Sequence, residues 1–151
     1  MTYVNKNLQQ EAEFISKMNS GDTHGIYNTL HGQLSVLQSR AQILVSIAGI
    51  VITVTGFSGR VIAGTHIISQ ILVVAGLFTV LTSAVYVLVN VMRINWMTSV
   101  FAKNTNVNDG VIAILKLRDK KNHAFRIGSI ILFSGLVFYC TAISIMLMNP
   151  Y

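Results

Sequence analysis

Charge is what this sequence has least of. Only 11% of its 151 residues are Asp, Glu, Lys or Arg. A soluble domain carries about a quarter, so there are too few here to cover a water-exposed surface. Hydrophobic residues make up 52%, and the mean hydropathy is +0.60. The length leaves room for one domain, and the composition is that of a membrane protein.

Other scarcities narrow the function. The one cysteine, Cys140, lies in an apolar run and excludes an intrachain disulfide. The one proline, Pro150, leaves nothing to break a helix earlier in the chain. The carboxylates are Glu11, Glu13, Asp22, Asp109 and Asp119, all outside the apolar runs. Asp22 and Asp109 suit helix caps or loops. No pair suits acid–base chemistry and no nucleophile motif is present, so no enzyme activity and no cofactor are expected. The apolar runs hold no Asp, Glu, Lys or Arg near their centres, which argues against an ion-coupled transporter. The first 40 residues lack the basic segment, apolar core and cleavage site of a signal peptide, and no cleavage is expected.

Three apolar runs are present: "AQILVSIAGIVITVTGF" from Ala41, "IISQILVVAGLFTVLTSAVYVLVNVM" from Ile67 and "IGSIILFSGLVFYCTAISIMLM" from Ile127. A bilayer core needs about 20 helical residues. The expected fold is therefore an all-α membrane protein with three transmembrane helices, helical cytoplasmic extensions and a short N-terminal amphipathic helix. Residues 1–40 form the N-terminal helices and 41–92 a transmembrane hairpin, with spans at about 41–58 and 67–92. Residues 93–126 form a cytoplasmic helical connection, and 127–149 the third span. "SGRVIAGTH", with Gly59 and Gly64, reads as a tight surface turn, and "KNTNVNDG" at 103–110 as a loop. The second span is expected to extend inward to about Ala102, and the third helix to begin near Gly110.

Ten of the eleven Lys and Arg residues fall on the side shared by the N-terminal arm and the long connection. The exception is Arg60. The positive-inside rule places that side in the cytoplasm and the C-terminus outside, with Trp96 and Tyr151 as interfacial anchors.

Within the N-terminal part, Leu8, Ala12, Ile15 and Met18 share one helical stripe, and "NSG" at 19–21 ends it. From about Asp22 a single helix can run to Phe57, on the order of 50 Å. Tyr27, Leu30, Leu34, Leu37, Ala41, Leu44 and Ala48 recur at alternating spacings of 3 and 4, a heptad seam that begins among polar residues and ends in hydrocarbon. The seam is expected to join copies of the chain, although packing within one chain is the alternative.

Lys116, Arg118, Lys120, Lys121 and Arg126 form a basic cluster around His123. It suits anionic lipid headgroups or, on a sharper reading, a phosphate-bearing ligand. No nucleic-acid-binding module is recognisable. His24 and His31 are seven apart and unsuited to a helical metal pair, so no metal site is expected. Ala75, Thr79 and Ser83 give one small-residue face, and Gly128, Gly135 and Ala142 another. Such faces allow close helix packing. Gln42, Gln70 and Asn90 could line a polar path in an assembly or serve as interhelical hydrogen bonds.

"LHGQLSVLQSRAQILVSIAGIVI", the hairpin of spans after it, and "LKLRDKKNHAFRIGSIILFSGLVF" together resemble the small transmembrane effectors of bacterial anti-phage signalling, of the Pycsar and CBASS type. The resemblance covers most of the chain as pattern. It departs where Gln38 and Ser39 stand before the Arg40–Ala41 pair, a place where the family often has an acidic residue. It implies an oligomeric effector in the bacterial inner membrane that perturbs membrane integrity. The trigger would be a cyclic nucleotide bound to the cytoplasmic helices, or a cytoplasmic protein partner. The alternative is an adaptor that recruits a cytoplasmic partner and forms no pore.

Overall fold

A computed structural model describes residues 2–63, 67–93, 99–100 and 106–148. Among them there are four long helices and no strand. Helix α1 spans Thr2–Met18, α2 Thr23–Ala63, α3 Ile67–Asn90 and α4 Val107–Met148.

The connection from α1 to α2 follows from its residues. Ser20 (φ 50°) and Gly21 (φ 74°) turn the chain through the left-handed region. The Gly21 N–H closes the end of α1 on the Ser16 carbonyl at 2.9 Å. Asp22 then caps α2, its carboxylate accepting from the N–H groups of His24 (3.1 Å) and Gly25 (3.0 Å).

Three expected boundaries move. Helix α2 continues to Ala63 through most of the segment read as a turn. Gly59 alone costs a helix about 1 kcal/mol, and no proline enforces a stop. Gly64 lies outside the described residues, as do Trp96 and Tyr151. Helix α3 ends at Asn90, short of the expected Met92 and Ala102. Val91 and Met92 turn there, both donating to the Val87 carbonyl. Helix α4 starts at Val107, ahead of Gly110, so Asp109 sits in its first turn where a carboxylate favours the helix dipole.

The chain forms two compact units. The first comprises Met1–Ser39 with Arg93–His123. Its core is Leu8, Ala12 and Ile15 of α1, Ile26 and Leu30 of α2, and Val111, Ile114 and Leu115 of α4, flanked by Tyr27 and Leu34. Met18, expected on the buried stripe, is instead 57% exposed, one turn past Ile15 where α1 ends.

The second unit comprises Arg40–Met92 with Ala124–Tyr151. Ala41, Leu44 and Ala48 of α2 are buried in it, as are Ser69, Val73, Gly76, Val80, Ser83 and Val87 of α3 and Ala124, Leu132 and Ala142 of α4. The opposite faces leave Ile43, Ile50, Phe57, Ile71, Phe78, Ile130 and Phe133 bare. Bare apolar surface of this extent marks a membrane or an interface. Among the described residues three helices are long and apolar enough to cross a membrane, the pattern of a multi-pass membrane protein.

The heptad seam is spent inside one chain. Leu30, Leu37, Ala41, Leu44 and Ala48 are buried, and Tyr27 and Leu34 half-buried, with no second copy present. The hydrophobic effect draws the seam onto the nearest apolar faces, and in the first unit those belong to α1 and α4.

Candidate functional site

The basic cluster, four of whose cations lie in the first unit and Arg126 in the second, divides by helical phase. Val111, Ile114 and Leu115 face the core, and Arg118, one or two turns further on, follows them inward. Its guanidinium meets the Glu11 carboxylate with both forks: Nη1 donates to Oε1, and Nη2 to Oε2 at 3.0 Å. Nη1 also donates to Gln33 Oε1 at 2.9 Å, and Nε and Nη2 to Asp119 Oδ1 at 3.0 and 2.7 Å. One side chain of α4 thus ties α1 and α2 together beside the apolar core. The Arg118 pKa is raised, chiefly by the hydrogen bonds to Glu11; partial burial opposes this, and Asp119 reinforces it.

Lys121 also has structural employment. Its ammonium donates to the Arg93 carbonyl at 2.9 Å, just after α3, and burial lowers its pKa. Lys116, Lys120 and Arg126 remain exposed, as does His123. Of the five cations, two are engaged in the fold and three are exposed.

In the second unit α3 and α4 pack antiparallel at very close range. A Cβ on Gly76 would lie 3.0 Å from the Gly135 carbonyl oxygen and 3.3 Å from the Tyr139 nitrogen. A Cβ on Gly135 would lie 2.8 Å from Val80 Cγ2, and one on Gly128 would collide with Val87 Cγ2. Ser83 donates its hydroxyl to the Gly128 carbonyl at 2.6 Å. Gly128, Gly135 and Ala142 all lie on the buried face of α4.

On α3 the packing face differs from the expected one. Ser83 is fully buried, but Thr79 is half-buried and Ala75 exposed. The face in use is Ser69, Val73, Gly76, Val80, Ser83 and Val87, alternating steps of four and three. A helix apolar on every side hides such a seam from hydropathy.

No protein-family model matches the chain, and no curated protein or solved structure matches it.

Many polar groups of the spans turn back on their own helices. Thr53, Thr55, Thr79, Thr82, Thr141 and Ser144 each donate to the carbonyl four residues back. Asn90 donates likewise to the Tyr86 carbonyl, and Gln42 is exposed. The Ser69 hydroxyl is buried and has no partner among the described residues. The carbonyl four residues before it belongs to Thr65, outside the described residues. Among the described residues no three His, Cys, Asp or Glu side chains gather closely enough to hold a metal ion.

Composition alone did not reveal Glu11 and Gln33 as partners of Arg118. A usable signal existed, because Arg118 stands seven residues after Val111 and Glu11 three after Leu8. Both are charges placed on apolar stripes.

Proposed function

We propose that this chain is an oligomeric effector of the bacterial inner membrane, acting in anti-phage defence by perturbing the bilayer when its cytoplasmic helices receive a signal. In this reading the N-terminus is cytoplasmic, because ten of eleven basic residues lie on that side, and the C-terminus is outside. Helix α1 serves as an amphipathic helix on the cytoplasmic unit. A cyclic nucleotide or a protein partner supplies the signal.

The observation that carries the proposal is shared membership. Helices α2 and α4 each contribute residues to the first unit and to the apolar second unit. A ligand that changes how the first unit packs therefore acts on backbone that continues into the spans. A ligand shifts such an equilibrium only by its difference in affinity between two packings.

The test has two arms. Induced expression should depolarise bacterial cells, read with a potential-sensitive dye. The purified full chain, with cyclic mono- and dinucleotides added, should release dye from liposomes. Intact liposomes under every nucleotide, together with cells that keep their potential, would refute the reading.

A second reading is an adaptor. Phe14 and Met18, one turn apart on α1, are 66% and 57% exposed in the first unit, and such apolar surface suits a protein partner. Recovery of one stoichiometric partner, with no loss of membrane potential, would favour this reading.

A further inference from the structure

We infer that α1 is an exchangeable strap: in assemblies, the α1 of one copy occupies the α2–α4 groove of a second copy, with Glu11 pairing to that copy's Arg118. The groove is the apolar surface of Ile26, Leu30, Val111, Ile114 and Leu115, and among the described side chains of α1 it takes Leu8, Ala12 and Ile15. Terminal elements belong to the low end of local stability. The described polar hold on α1 includes the Glu11 carboxylate, gripped at both oxygens by Arg118.

The turn supplies the reason to exchange. Ser20 is the one described non-glycine residue at positive φ, and Gly21 follows it in the same region. Residues other than glycine are strained there. If α1 and α2 were to straighten into one helix, both residues would leave the left-handed region, and α1 could no longer reach its own groove. A second copy carries an identical groove and an identical strap, so every contact of the closed chain is reproduced between copies. Confinement in a membrane raises the effective concentration of copies and favours the exchanged form.

This inference shares with the functional reading only the premise that copies associate. Its test reads partner capture, and the functional test reads permeability, so either can fail alone.

The experiment reverses charge in two full-length chains carrying different tags. Glu11→Arg opposes the strap to its groove, as does Arg118→Glu. Co-expressed, the two variants restore an attractive pair in both grooves only if straps cross between copies. The mixed pair should therefore co-purify from detergent several times more efficiently than either variant with itself. The double variant Glu11→Arg/Arg118→Glu should assemble like the unaltered chain. A mixed pair that captures no more than the self-pairs, beside a double variant that behaves normally, overturns the inference. Deletion of Ser20 and Gly21 decides the matter if the single variants fail to fold. The shortened turn should yield dimers or larger assemblies by light scattering, and a helical monomer would overturn the inference.

Discussion

Gly76 and Gly135 meet backbone to backbone. A Cβ on either would stand 3.0–3.1 Å from the carbonyl oxygen of the other. In lipid no hydrophobic effect pulls helices together, so close approach of this kind supplies the van der Waals contact that holds α3 to α4.

Gly135→Ala should destabilise the second unit by about 1–3 kcal/mol. The obstacles are the Gly76 carbonyl, the Val80 backbone nitrogen and the Val80 side chain, and two of the three are backbone. Gly32→Ala is the control, since a Cβ there meets nothing within 4 Å. It should stabilise α2 by about 1 kcal/mol. Reversible unfolding in mixed micelles, followed by circular dichroism, measures both; equal effects would discount the close crossing.

Ser83→Ala should cost about 0.6–1.7 kcal/mol, the range for interhelical hydrogen bonds in membranes. It removes the hydroxyl that donates to the Gly128 carbonyl and leaves that helix pair otherwise packed. Thr82→Ala should cost less, because the Thr82 hydroxyl bonds only within α3. The same unfolding assay ranks the two.

Lys121 makes stability depend on alkaline pH. Burial lowers its pKa, so the folded chain gives up this proton before the unfolded chain does. Between the lowered value and the ordinary lysine range the unfolded chain binds more protons, and stability rises with pH through that window. Below it both states are charged, and the folded state bears the cost of burial. Lys121→Met should flatten the rise, whereas Lys120→Met, at an exposed neighbour, should leave it in place. Thermal unfolding across an alkaline series checks the slope.

Changing Leu34 and Leu37 together to Asp should unfold the first unit while membrane insertion survives. Both belong to the intrachain seam, and Leu37 is buried. Limited proteolysis should then cut within Met1–Ser39. An intact, protease-resistant chain that merely loses its copies would give the seam an intersubunit role. Asp22→Ala, which removes only the α2 cap, should cost about 1 kcal/mol.

These residues also show how far the sequence could be read. The spans were legible because long apolar runs have few alternatives, and Asp22 was legible because a carboxylate after "NSG" matches the chemistry of a cap. The face of α3 was not. Ala75 and Gly76 are adjacent small residues, and with apolar neighbours on every side only the position of α4 decides which turns inward. The division of the basic cluster was hidden for a related reason. Composition counts charges, but Arg118 and Lys121 are set apart from Lys116 and Lys120 by their angle around α4. The end of α2 was misplaced because glycine permits a turn without requiring one.

The spacing along α3 and α4 sets their alignment. Gly76 lies opposite Gly135 and Ser83 opposite Gly128, seven residues apart on both helices. The same register brings Ser69 level with Ala142, and both are fully buried. Small residues at so regular an interval invite a slip of two turns, seating Gly76 on Ala142 and Ser83 on Gly135. The next rung of that slipped ladder would press Asn90 against Gly128. A carboxamide now bonded to its own helix and facing outward would be driven into the tightest part of the contact. Asn90 thus counts against that slip, and a ruler with equal divisions keeps its zero on that side.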